Sequence, residues 1–510
     1  MRKHGKKILG FVGIASALVL LVVFTLMLLA DDTLKRARQN CDTISITATY
    51  NHQLKTLTAT QNIAYKNRTG QNLNEIKFHT YANAYRDGAK NPPVVGADDI
   101  SKAYPNGKSF GGITIHNLHV SNLCKDNDCS KHHGDKVIPI IDGDDDTVMI
   151  AKLDKPLAPN KTTYIKMEYT VKLANIKHRL GWTDDAVNLA NFYPVPCIFE
   201  GGKWLTYPYS ANGDPFFNAL HNFDVKLTAP KEMVVASSGT LISQTATKTH
   251  VRSTSIRDFA AVLSSKFKTM SQTVGKTTVQ YYYLDDDAPH KSLETAVQSL
   301  NTFSSLFTKY PYQQLSVVQT DFLHGGMEYG ELVYVSRDML PDRESHNYVI
   351  VHEIAHQWWY GIVGNNQWRT AWIDEGLAEY STMLFFDKNP QYNIKRENII
   401  NNARANLSAY VKLVQGVGEQ VDTSMNRALD DFNTSYEYVY MTYVRGLLLF
   451  VDLESILTRD TLLGALRDFS YCAKFSIATQ HKLINCIEKT TGQKVRLFFE
   501  TYTLGWVGFN

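Results

Sequence analysis

The hydrophobic pattern of this chain changes its period near residue 280, and this change constrains the fold more than any other feature. Before that point apolar residues alternate with polar ones, as in the segments Leu57–Tyr65, Ile165–Leu173 and Phe223–Ala229. Alternation of period two is typical of strands with one buried face. The sequence therefore predicts an N-terminal β-sheet domain over residues 43–280, built as an antiparallel sandwich or a saddle-shaped sheet.

Beyond residue 280 the apolar residues recur every three or four positions, for example at Leu293 and Val297. This spacing is typical of amphipathic helices. Two short apolar runs, Leu315–Val318 and Leu332–Val335, interrupt the helical pattern and predict strands. The sequence therefore predicts an α+β chain whose second domain, residues 281–510, is mainly helical.

The N-terminus carries a basic segment followed by a long apolar run. Residues 1–7, MRKHGKK, contain four Lys or Arg residues, whereas the 23 residues from 8 to 30 contain no charge and are numerous enough to span a bilayer. The alternative is a cleaved signal peptide, but its apolar region is usually about 7–15 residues long. We predict a cytoplasmic segment at 1–7, an uncleaved transmembrane signal-anchor at 8–30 and a tether at 31–42.

The cysteines indicate on which side of the membrane the globular part lies. Flanking charge is a weak guide, because four Lys or Arg residues precede the apolar run and three follow it closely. All six cysteines follow the run, an even number compatible with disulfides outside the cytoplasm, with buried free thiols as the alternative. Their spacing suggests two local pairs, Cys124 with Cys129 and Cys472 with Cys486, which would leave Cys41 and Cys197 to join the tether to the sheet domain. We predict a single-pass protein of the cell membrane with an extracytoplasmic globular part.

The overall composition argues against nucleic acid as a partner. Of the 510 residues, 44% are hydrophobic and 20% are charged, as in ordinary globular proteins. Lys and Arg number 53 against 50 Asp and Glu, a formal net charge of +3, and no long basic block occurs. Binding to a phosphate backbone requires clustered positive charge. We therefore expect no nucleic acid partner.

Within the helical half, residues 351–380 read VHEIAHQWWYGIVGNNQWRTAWIDEGLAEY. On a helix, His352 and His356 lie one turn apart on the same face, so both imidazoles can bind one metal ion. Glu353 lies beside them, close enough to act as a base on water at the metal without binding the metal itself. Short motifs of this kind also occur by chance. An accidental match within a helix is therefore the alternative for this motif alone.

Glu375 supplies a third ligand. A catalytic zinc ion is usually held by three protein side chains and keeps its fourth position open. Glycines and asparagines at 361–366 end the first helix, and Ala371–Phe386 can form a second helix that returns past it. We therefore predict a site for one Zn²⁺ per chain, with His352, His356 and Glu375 as ligands.

Two other features of the stretch have less specific interpretations. Glu379, one turn after Glu375, could orient a ligand histidine as a second-shell carboxylate, although an exposed helical glutamate is nearly as good an interpretation. The tryptophans are better explained by packing around the two helices than by substrate contacts: Trp358, Trp359, Trp368 and Trp372.

The segment HEIAHQWWYG…WIDEGLAEY resembles the HExxHxWxG…WxxEGxAxY core of the aminopeptidase N family of zinc metallopeptidases. A second segment, HGGMEYGELVYVS at residues 324–336, is similar to the GxMEN strand of that family. The resemblance implies that Glu328 binds the free α-amine of a substrate. It also implies that the preceding residues of that strand bind substrate: Gly325, Gly326 and Met327.

A third segment, TYVRGLLLF at residues 442–450, resembles the Tyr-x-Lys-Gly helix of the family. The resemblance implies that Tyr443 stabilises the oxyanion, with Tyr440 on the neighbouring turn as the alternative. The segments ATYNHQLKTLTATQNIAYKN and GDPFFNALHNFDVKLTAP are similar, more weakly, to strands of the family's N-terminal sheet domain. The family fold then implies a β domain followed by a thermolysin-like zinc peptidase domain of the gluzincin type.

Two departures from the family pattern affect what the resemblance implies. Tyr329 stands where the best-known members have asparagine, which bears on the contacts of the amine and of the first side-chain pocket. The sequence also ends soon after Tyr443, so we expect a short, membrane-anchored member that lacks the large C-terminal helical domain of longer relatives.

These features together predict a zinc aminopeptidase that hydrolyses N-terminal residues from peptides. Zinc would polarise the scissile carbonyl and activate water, Glu353 would transfer the proton, and Tyr443 would donate to the oxyanion. A zinc endopeptidase of the same type is the first alternative, and Glu328 discriminates against it, because only an exopeptidase needs an anion for the substrate ammonium. A catalytically silent zinc-binding receptor is the second alternative, but it has no need of Glu353 or Tyr443.

Overall fold

The computed structural model describes residues 33–121 and 135–505. It divides into two compact units, residues 1–41 and 42–510. In the first unit the described segment includes a helix over residues 33–40, α1, so most of the predicted tether is helical. Within the described ranges no helix is long and apolar enough to cross a membrane. The predicted signal-anchor at residues 8–30 lies outside those ranges.

Strands make up most of the regular structure described between residues 42 and 264, as the alternating pattern predicts. In chain order they are β1 (Asp42–Asn51), β2 (Thr56–Lys66), β3 (Leu73–His79), β4 (Gly112–Ser121), β5 (Asp135–Lys136), β6 (Ile140–Asp142), β7 (Val148–Leu157), β8 (Thr162–Lys172), β9 (Leu180–Trp182), β10 (Val187–Ala190), β11 (Val195–Pro196), β12 (Ile198–Glu200), β13 (Lys203–Leu205), β14 (His221–Thr228), β15 (Val234–Ser237), β16 (Thr240–Gln244), β17 (Lys248–Ile256) and β18 (Ala260–Ser264).

The largest sheet of this region has the strand order β16-β17-β14-β1-β2-β8-β4-β5. Its buried and partly exposed residues alternate, for example along β8, because one face of each strand packs on the core. Two smaller sheets, β15-β18-β10-β9 and β11-β3-β7-β6, complete the layers. The predicted antiparallel arrangement is wrong at one pair, since β1 runs parallel to β14. A crossover of many residues connects these two strands, as parallel pairing requires.

A mixed sheet forms the transition to the helical half. Its strands are β19 (Lys268–Val274), β20 (Thr277–Tyr283), β21 (Gln314–Thr320), β22 (Gly326–Met327) and β23 (Leu332–Ser336), in the order β19-β20-β21-β23-β22. The two apolar runs predicted as strands are β21 and β23. The predicted boundary between residues 280 and 281 falls inside β20, which pairs with β21. This sheet therefore begins before the predicted boundary.

The remaining chain is mainly helical. The helices are α2 (Ala97–Ala103) in the β region and then α3 (Pro289–Leu306), α4 (Arg343–Ala355), α5 (Gln367–Thr370), α6 (Trp372–Lys388), α7 (Arg396–Gly416), α8 (Ser435–Val439), α9 (Arg445–Leu457), α10 (Arg459–Cys472), α11 (Gln480–Thr491) and α12 (Arg496–Thr503). Two short strands, β24 (Val363–Gly364) and β25 (Ser476–Ile477), pair in parallel. The predicted α+β class, with a β-rich N-terminal part and a helical C-terminal part, is confirmed.

The predicted disulfides are not found among the described residues. Cys197, Cys472 and Cys486 carry free thiols. Because the buried thiol of Cys197 is free, its predicted pairing with Cys41 is not found. Cys472 and Cys486 interact as thiols, and burial together with Cys472 raises the pKa of Cys486 to about 11. The pair Cys124 and Cys129 lies outside the described residues.

Candidate active site

The three predicted metal ligands converge on one point. His352 lies in the last turn of α4, His356 follows directly after that helix, and Glu375 lies in the first turn of α6. The Nε2 atoms of the two histidines are 3.1 Å apart, and Oε2 of Glu375 lies 3.1 Å from Nε2 of His356 and 3.4 Å from Nε2 of His352. An ion with tetrahedral bonds of about 2.0–2.1 Å places its ligand atoms about 3.3 Å apart. The three atoms therefore fit three corners of such a tetrahedron.

Local sequence explains why α4 and α6 meet in this way. The Asp342 side chain caps the start of α4 by accepting from the backbone N–H of Glu344. The chain then reverses through 356–366, and α6 returns beside α4 and packs on α9. A Cβ added to Gly376 would lie 2.9 Å from the Cα of Gly446 in α9, so only two glycines allow this approach. The close approach brings Glu375 next to the segment that carries Tyr443.

Opposite charges dominate the electrostatics of the three ligands. Burial alone would lower the pKa of His356, but Glu375 and other carboxylates raise it to about 10. Burial also opposes the charge of His352, whose pKa is nevertheless raised by Glu375 and Glu379. Conversely, the two histidines outweigh burial and lower the pKa of Glu375 to about 2. The cluster thus holds a carboxylate and two imidazoles that carry protons in competition with a metal ion.

Glu379 contacts the first histidine from behind. Its Oε1 lies 3.1 Å from Nδ1 of His352, the nitrogen that faces away from the cluster. The hydroxyl of Tyr348 donates to Oε2 of Glu379 at 2.5 Å and holds this carboxylate in place. A carboxylate on the outer nitrogen fixes the tautomer and orientation of a ligand histidine. Glu379 therefore occupies the position from which it can orient His352.

Glu353 is buried beside the histidines with one unused acceptor. Its Oε2 has no hydrogen-bond partner among the described residues. Burial raises the pKa of Glu353 to about 7, against the lowering effect of His352 and His356. A Cβ on Gly326 would lie 2.3 Å from Oε1 of Glu353, so the strand can approach this carboxylate only because residue 326 is glycine. The group is positioned and tuned as a general base should be.

Tyr443 contacts two of the three predicted ligands. Its hydroxyl donates to Oε1 of Glu375 at 2.6 Å, and its ring stacks beside His352. It lies in a π-helical turn, Tyr440–Val444, an irregularity found frequently at functional sites. Tyr440 instead stacks on Tyr410, with 4.5 Å between ring centroids. The structure thus places Tyr443, and not Tyr440, next to the metal ligands.

Glu328 lies at the other end of the cluster, directly after β22. Its Oε1 accepts a hydrogen bond from Nε2 of Gln367 at 2.7 Å, and the same nitrogen donates to Oδ2 of Asp374 at 2.8 Å. Burial and the nearby Asp214 raise the pKa of Glu328 well above its usual value. Burial and Glu375 raise the pKa of Asp374 to about 7. Glu328 and Asp374 have no Lys or Arg partner among the described residues, and a ring nitrogen of His356 lies within 4.8 Å of both carboxylates.

Residues 325–327, which precede Glu328, have different surroundings. Met327 is buried, and its Sδ lies 3.3 Å from Nε of Arg179. Arg179 in turn forms a buried ion pair of 2.5 Å with Asp214 of the β domain. A Cβ on Gly325 would lie 3.2 Å from the side chain of Val349, and the Gly325 carbonyl oxygen accepts a hydrogen bond from the backbone N–H of Ser336 at 2.8 Å.

Sequence reasoning missed four residues of this site. Gln367 and Asp374 lie within the stretch that contains the metal motif, and a polar residue directly before the third ligand was a signal for Asp374. Arg179 and Asp214 lie more than a hundred residues earlier, in the β domain. No periodicity or spacing connects them to the histidines, so only the tertiary structure reveals their position.

The comparisons with known proteins agree with this geometry. Residues 291–502 match the family described as "Peptidase family M1 domain". Aminopeptidase M1-D of Oryza sativa subsp. japonica is 26% identical over 224 residues, which cover 42% of this chain and 25% of that protein. Membrane alanyl aminopeptidase of Manduca sexta is 24% identical over 319 residues, 58% of this chain and 31% of that protein. The chain thus spans about a quarter to a third of the length of these relatives.

A solved structure covers more of the chain. The M1 zinc metallopeptidase from Deinococcus radiodurans has a TM-score of 0.61 to this chain, with 14% sequence identity, and the match covers 92% of this chain and 93% of that one. At this identity the likeness shows the fold alone, and it includes the β domain as well as the helical half. The sequence match and the shared fold agree: residues 291–502 are similar to peptidase family M1 domains.

Proposed function

We propose that this protein is a zinc-dependent aminopeptidase. The observation that carries the proposal is the position of Glu328, a buried carboxylate with no Lys or Arg partner among the described residues, at one end of a three-ligand metal cluster. A peptidase that removes N-terminal residues must bind the substrate α-ammonium at a fixed distance from the hydrolytic metal. Glu328 supplies the anion for that ammonium.

His352, His356 and Glu375 would hold the zinc ion. When bound there, zinc would lower the pKa of a water molecule and polarise the scissile carbonyl. Glu353, with its unpartnered Oε2 and a pKa near 7, accepts the water proton and passes it to the leaving amine. The Tyr443 hydroxyl turns from Glu375 to the oxygen on which negative charge develops. Glu379 keeps the His352 ring oriented throughout.

Glu328, Asp374 and Gln367 form one end of the site, here called the amine end, and the metal ligands form the other, the metal end. The amine end determines whether the site acts as an exopeptidase or an endopeptidase. An endopeptidase must pass a continuous chain through the position that the ammonium would occupy. Here that position is bounded by the carboxylates of Glu328 and Asp374 and by Gln367, all of them buried. A neutral peptide group at this place would leave the carboxylates without a cation, whereas an ammonium group forms charge-assisted hydrogen bonds with them. The arrangement therefore favours a free N-terminus.

Turnover of aminoacyl fluorogenic substrates tests this function. We expect hydrolysis that a chelator abolishes and added zinc restores, and a strong preference for free-amine substrates over N-acetylated ones. Removal of one partner of a buried charged pair costs about 2–5 kcal/mol, so Glu328→Ala should lower kcat/KM by roughly 30- to 5000-fold at unchanged zinc content. Internal cleavage of N-blocked peptides at a rate similar to the trimming of free ones would support an endopeptidase instead.

We further propose that residues 8–30 anchor the chain in the cell membrane and that the catalytic part is extracytoplasmic. The 23 uncharged residues between two basic segments support this location. The Manduca sexta relative is named membrane alanyl aminopeptidase, and this name also supports a location at a membrane. Protease added to intact cells should then degrade the catalytic part. Recovery of the protein in the soluble fraction after an alkaline wash would contradict the anchor.

A further inference from the structure

The side-chain amide of Gln367 connects two carboxylates at the amine end of the site. Its Nε2 donates to Oε1 of Glu328 at 2.7 Å and to Oδ2 of Asp374 at 2.8 Å. Oδ1 of Asp374 accepts a further hydrogen bond from Asn365 at 2.7 Å. Both hydrogens of the Gln367 amide are thus used, and their acceptors fix which end of the amide carries the nitrogen.

The oxygen of the same amide has no partner. Oε1 of Gln367 accepts no hydrogen bond from the described residues. Water does not replace the missing donor from bulk solvent, because the atom is inaccessible and the residue is only 1% exposed. A buried acceptor without a donor destabilises the folded protein, because it loses its hydrogen bonds to water and gains none in return. Such a group is expected at a place where a ligand supplies the donor. Gln367 therefore offers an unused acceptor on the same amide whose nitrogen contacts Glu328.

The backbone that carries Gln367 is held firmly by the β domain. Trp368, the next residue in α5, stacks on Tyr207 with 4.4 Å between ring centroids and an interplanar angle of 2°. The Tyr207 hydroxyl accepts hydrogen bonds from Asn366 at 3.1 Å and from Arg369 at 3.0 Å. The residues on both sides of Gln367 thus contact one tyrosine. The position of the amide is therefore set before any ligand binds.

The groups around the amide define the charge of the ligand. One carboxylate oxygen of Glu328, one of Asp374 and one ring nitrogen of His356 all lie within 4.8 Å of one another. Glu328, Asp374 and the amide oxygen are all acceptors toward a ligand, and two carboxylates so close favour a cation between them. A primary ammonium group carries three N–H donors and one positive charge. It matches this set of acceptors in number and in charge.

We propose that Gln367 is a substrate-binding residue whose Oε1 accepts a hydrogen bond from the α-ammonium of the substrate, while its Nε2 keeps Glu328 and Asp374 in place. The inference rests on the proposed aminopeptidase function and deepens it. It assigns recognition of the free amine to a side chain of the segment between the two metal-binding helices. Glu328 alone would attract the ammonium by charge. Oε1 of Gln367 would also orient the ammonium, because it accepts one particular N–H.

Binding of two matched inhibitors tests this role. Alanine hydroxamate carries the α-amine, and propionohydroxamate lacks it but is otherwise the same metal-binding ligand. Calorimetry on the zinc-loaded full chain gives the ratio of their dissociation constants. Because a hydrogen bond to a charged group contributes about 1.5–3 kcal/mol, Gln367→Met should reduce this ratio by about 10- to 150-fold, with zinc content unchanged. Gln367→Asn keeps both an amide donor and an amide acceptor, one methylene shorter, and should retain more of the ratio than Gln367→Met.

A buried glutamine elsewhere provides the matched control. Gln314 in β21 is buried and donates to the carbonyl oxygen of Ser237, outside the site. Gln314→Met should leave the ratio at the wild-type value, which separates ammonium binding from general destabilisation. If Gln367→Met does not fold, Gln367→Ala measures the same ratio with the acceptor removed and the volume reduced.

Three outcomes would contradict the proposal or its basis. An unchanged ratio in the folded Gln367 variant would show that the amide is only structural. An equal loss in Gln314→Met would show that the effect does not arise from the amine. A wild-type ratio close to one would instead contradict the proposed aminopeptidase function itself, because the site would not distinguish a free amine at all.

Discussion

The two ends of the active site are held together by different electrostatic interactions. At the metal end, two histidines and Glu375 carry opposite charges, and their contacts of 3.1–3.4 Å already have the spacing that an ion requires. At the amine end, Glu328 and Asp374 are carboxylates of raised pKa held together by a neutral amide.

The difference shows how one buried site can be prepared for two unlike cations. Protons on the imidazoles can balance the metal end before an ion binds, so the ligand geometry persists. At the amine end Glu328 and Asp374 have no Lys or Arg partner among the described residues, and a substrate ammonium can balance their charge. The metal end is therefore preorganised by attraction, and the amine end by hydrogen bonds that prevent the carboxylates from separating. The following predictions test this comparison, from the largest expected effect to the smallest.

The largest effect should come from Glu353→Gln, which leaves the metal end assembled but removes the base. We expect kcat to fall by roughly 10²- to 10⁴-fold, the usual contribution of general acid–base catalysis. Zinc content, measured by metal analysis of the purified protein, should remain at one ion per chain. Loss of zinc from this variant would mean that Glu353 is a ligand, and the division of roles at the metal end would be wrong.

Tyr443→Phe should have the next largest effect. Removal of a single donor to an oxyanion costs about 10²- to 10³-fold in kcat, and KM should change little because the hydroxyl is bonded to Glu375 before reaction. Steady-state kinetics on one aminoacyl substrate measures both constants. Tyr440→Phe is the matched control, since Tyr440 stacks on Tyr410 away from the ligands and should behave like the wild type. Equal losses in the two variants would contradict the assignment.

Gly326→Ala tests whether the two ends depend on each other. The new methyl group would overlap Oε1 of Glu353 and displace either the base or the strand that leads to Glu328. A displacement of about 1 Å can cost roughly 10²-fold in rate, so kcat/KM should fall by about that factor while zinc remains bound. Gly464→Ala, at a helical position with nothing within 4 Å of the added carbon, should leave kcat/KM unchanged. Wild-type kinetics for Gly326→Ala would show that the two ends are independent.

Glu379→Gln should have the smallest effect, and it should appear in metal affinity. Loss of the carboxylate behind His352 typically weakens metal binding about 10- to 100-fold. Titration with a competing chelator measures the zinc dissociation constant, and kcat at saturating zinc should stay close to the wild-type value. Glu454→Gln removes a comparable tyrosine-bonded carboxylate, next to Tyr380 and away from the ligands, and should not change zinc affinity. An unchanged zinc affinity in Glu379→Gln would show that other groups orient His352.

Sequence could predict the parts of the fold and site that depend on local spacing. The alternation of apolar residues identified β2, β8 and β14, and the one-turn separation of the histidines identified the metal end. The pairing of β1 with β14 and of β20 with β21 could not be predicted, because each strand's partner is distant in the chain.

The amine end was predicted only in part for the same reason. A resemblance between short segments indicated Glu328, but no pattern marks Gln367 as its partner. Gln367 gains its role only when α5 packs against Tyr207 and faces a strand some forty residues earlier in sequence. Likewise, the pair of Arg179 and Asp214 reaches the site only because the β domain packs on the catalytic half.

The membership of β20 in the mixed sheet has a practical consequence for anyone who wishes to express the catalytic half alone. A fragment that begins at residue 291, where the family match starts, would lack β19 and β20. β21, whose residues are all buried, would then present an unpaired edge to solvent. Exposed edges of this kind pair with other chains and promote aggregation. Truncations should therefore begin before Lys268, and even these would expose the surface that the β domain normally covers.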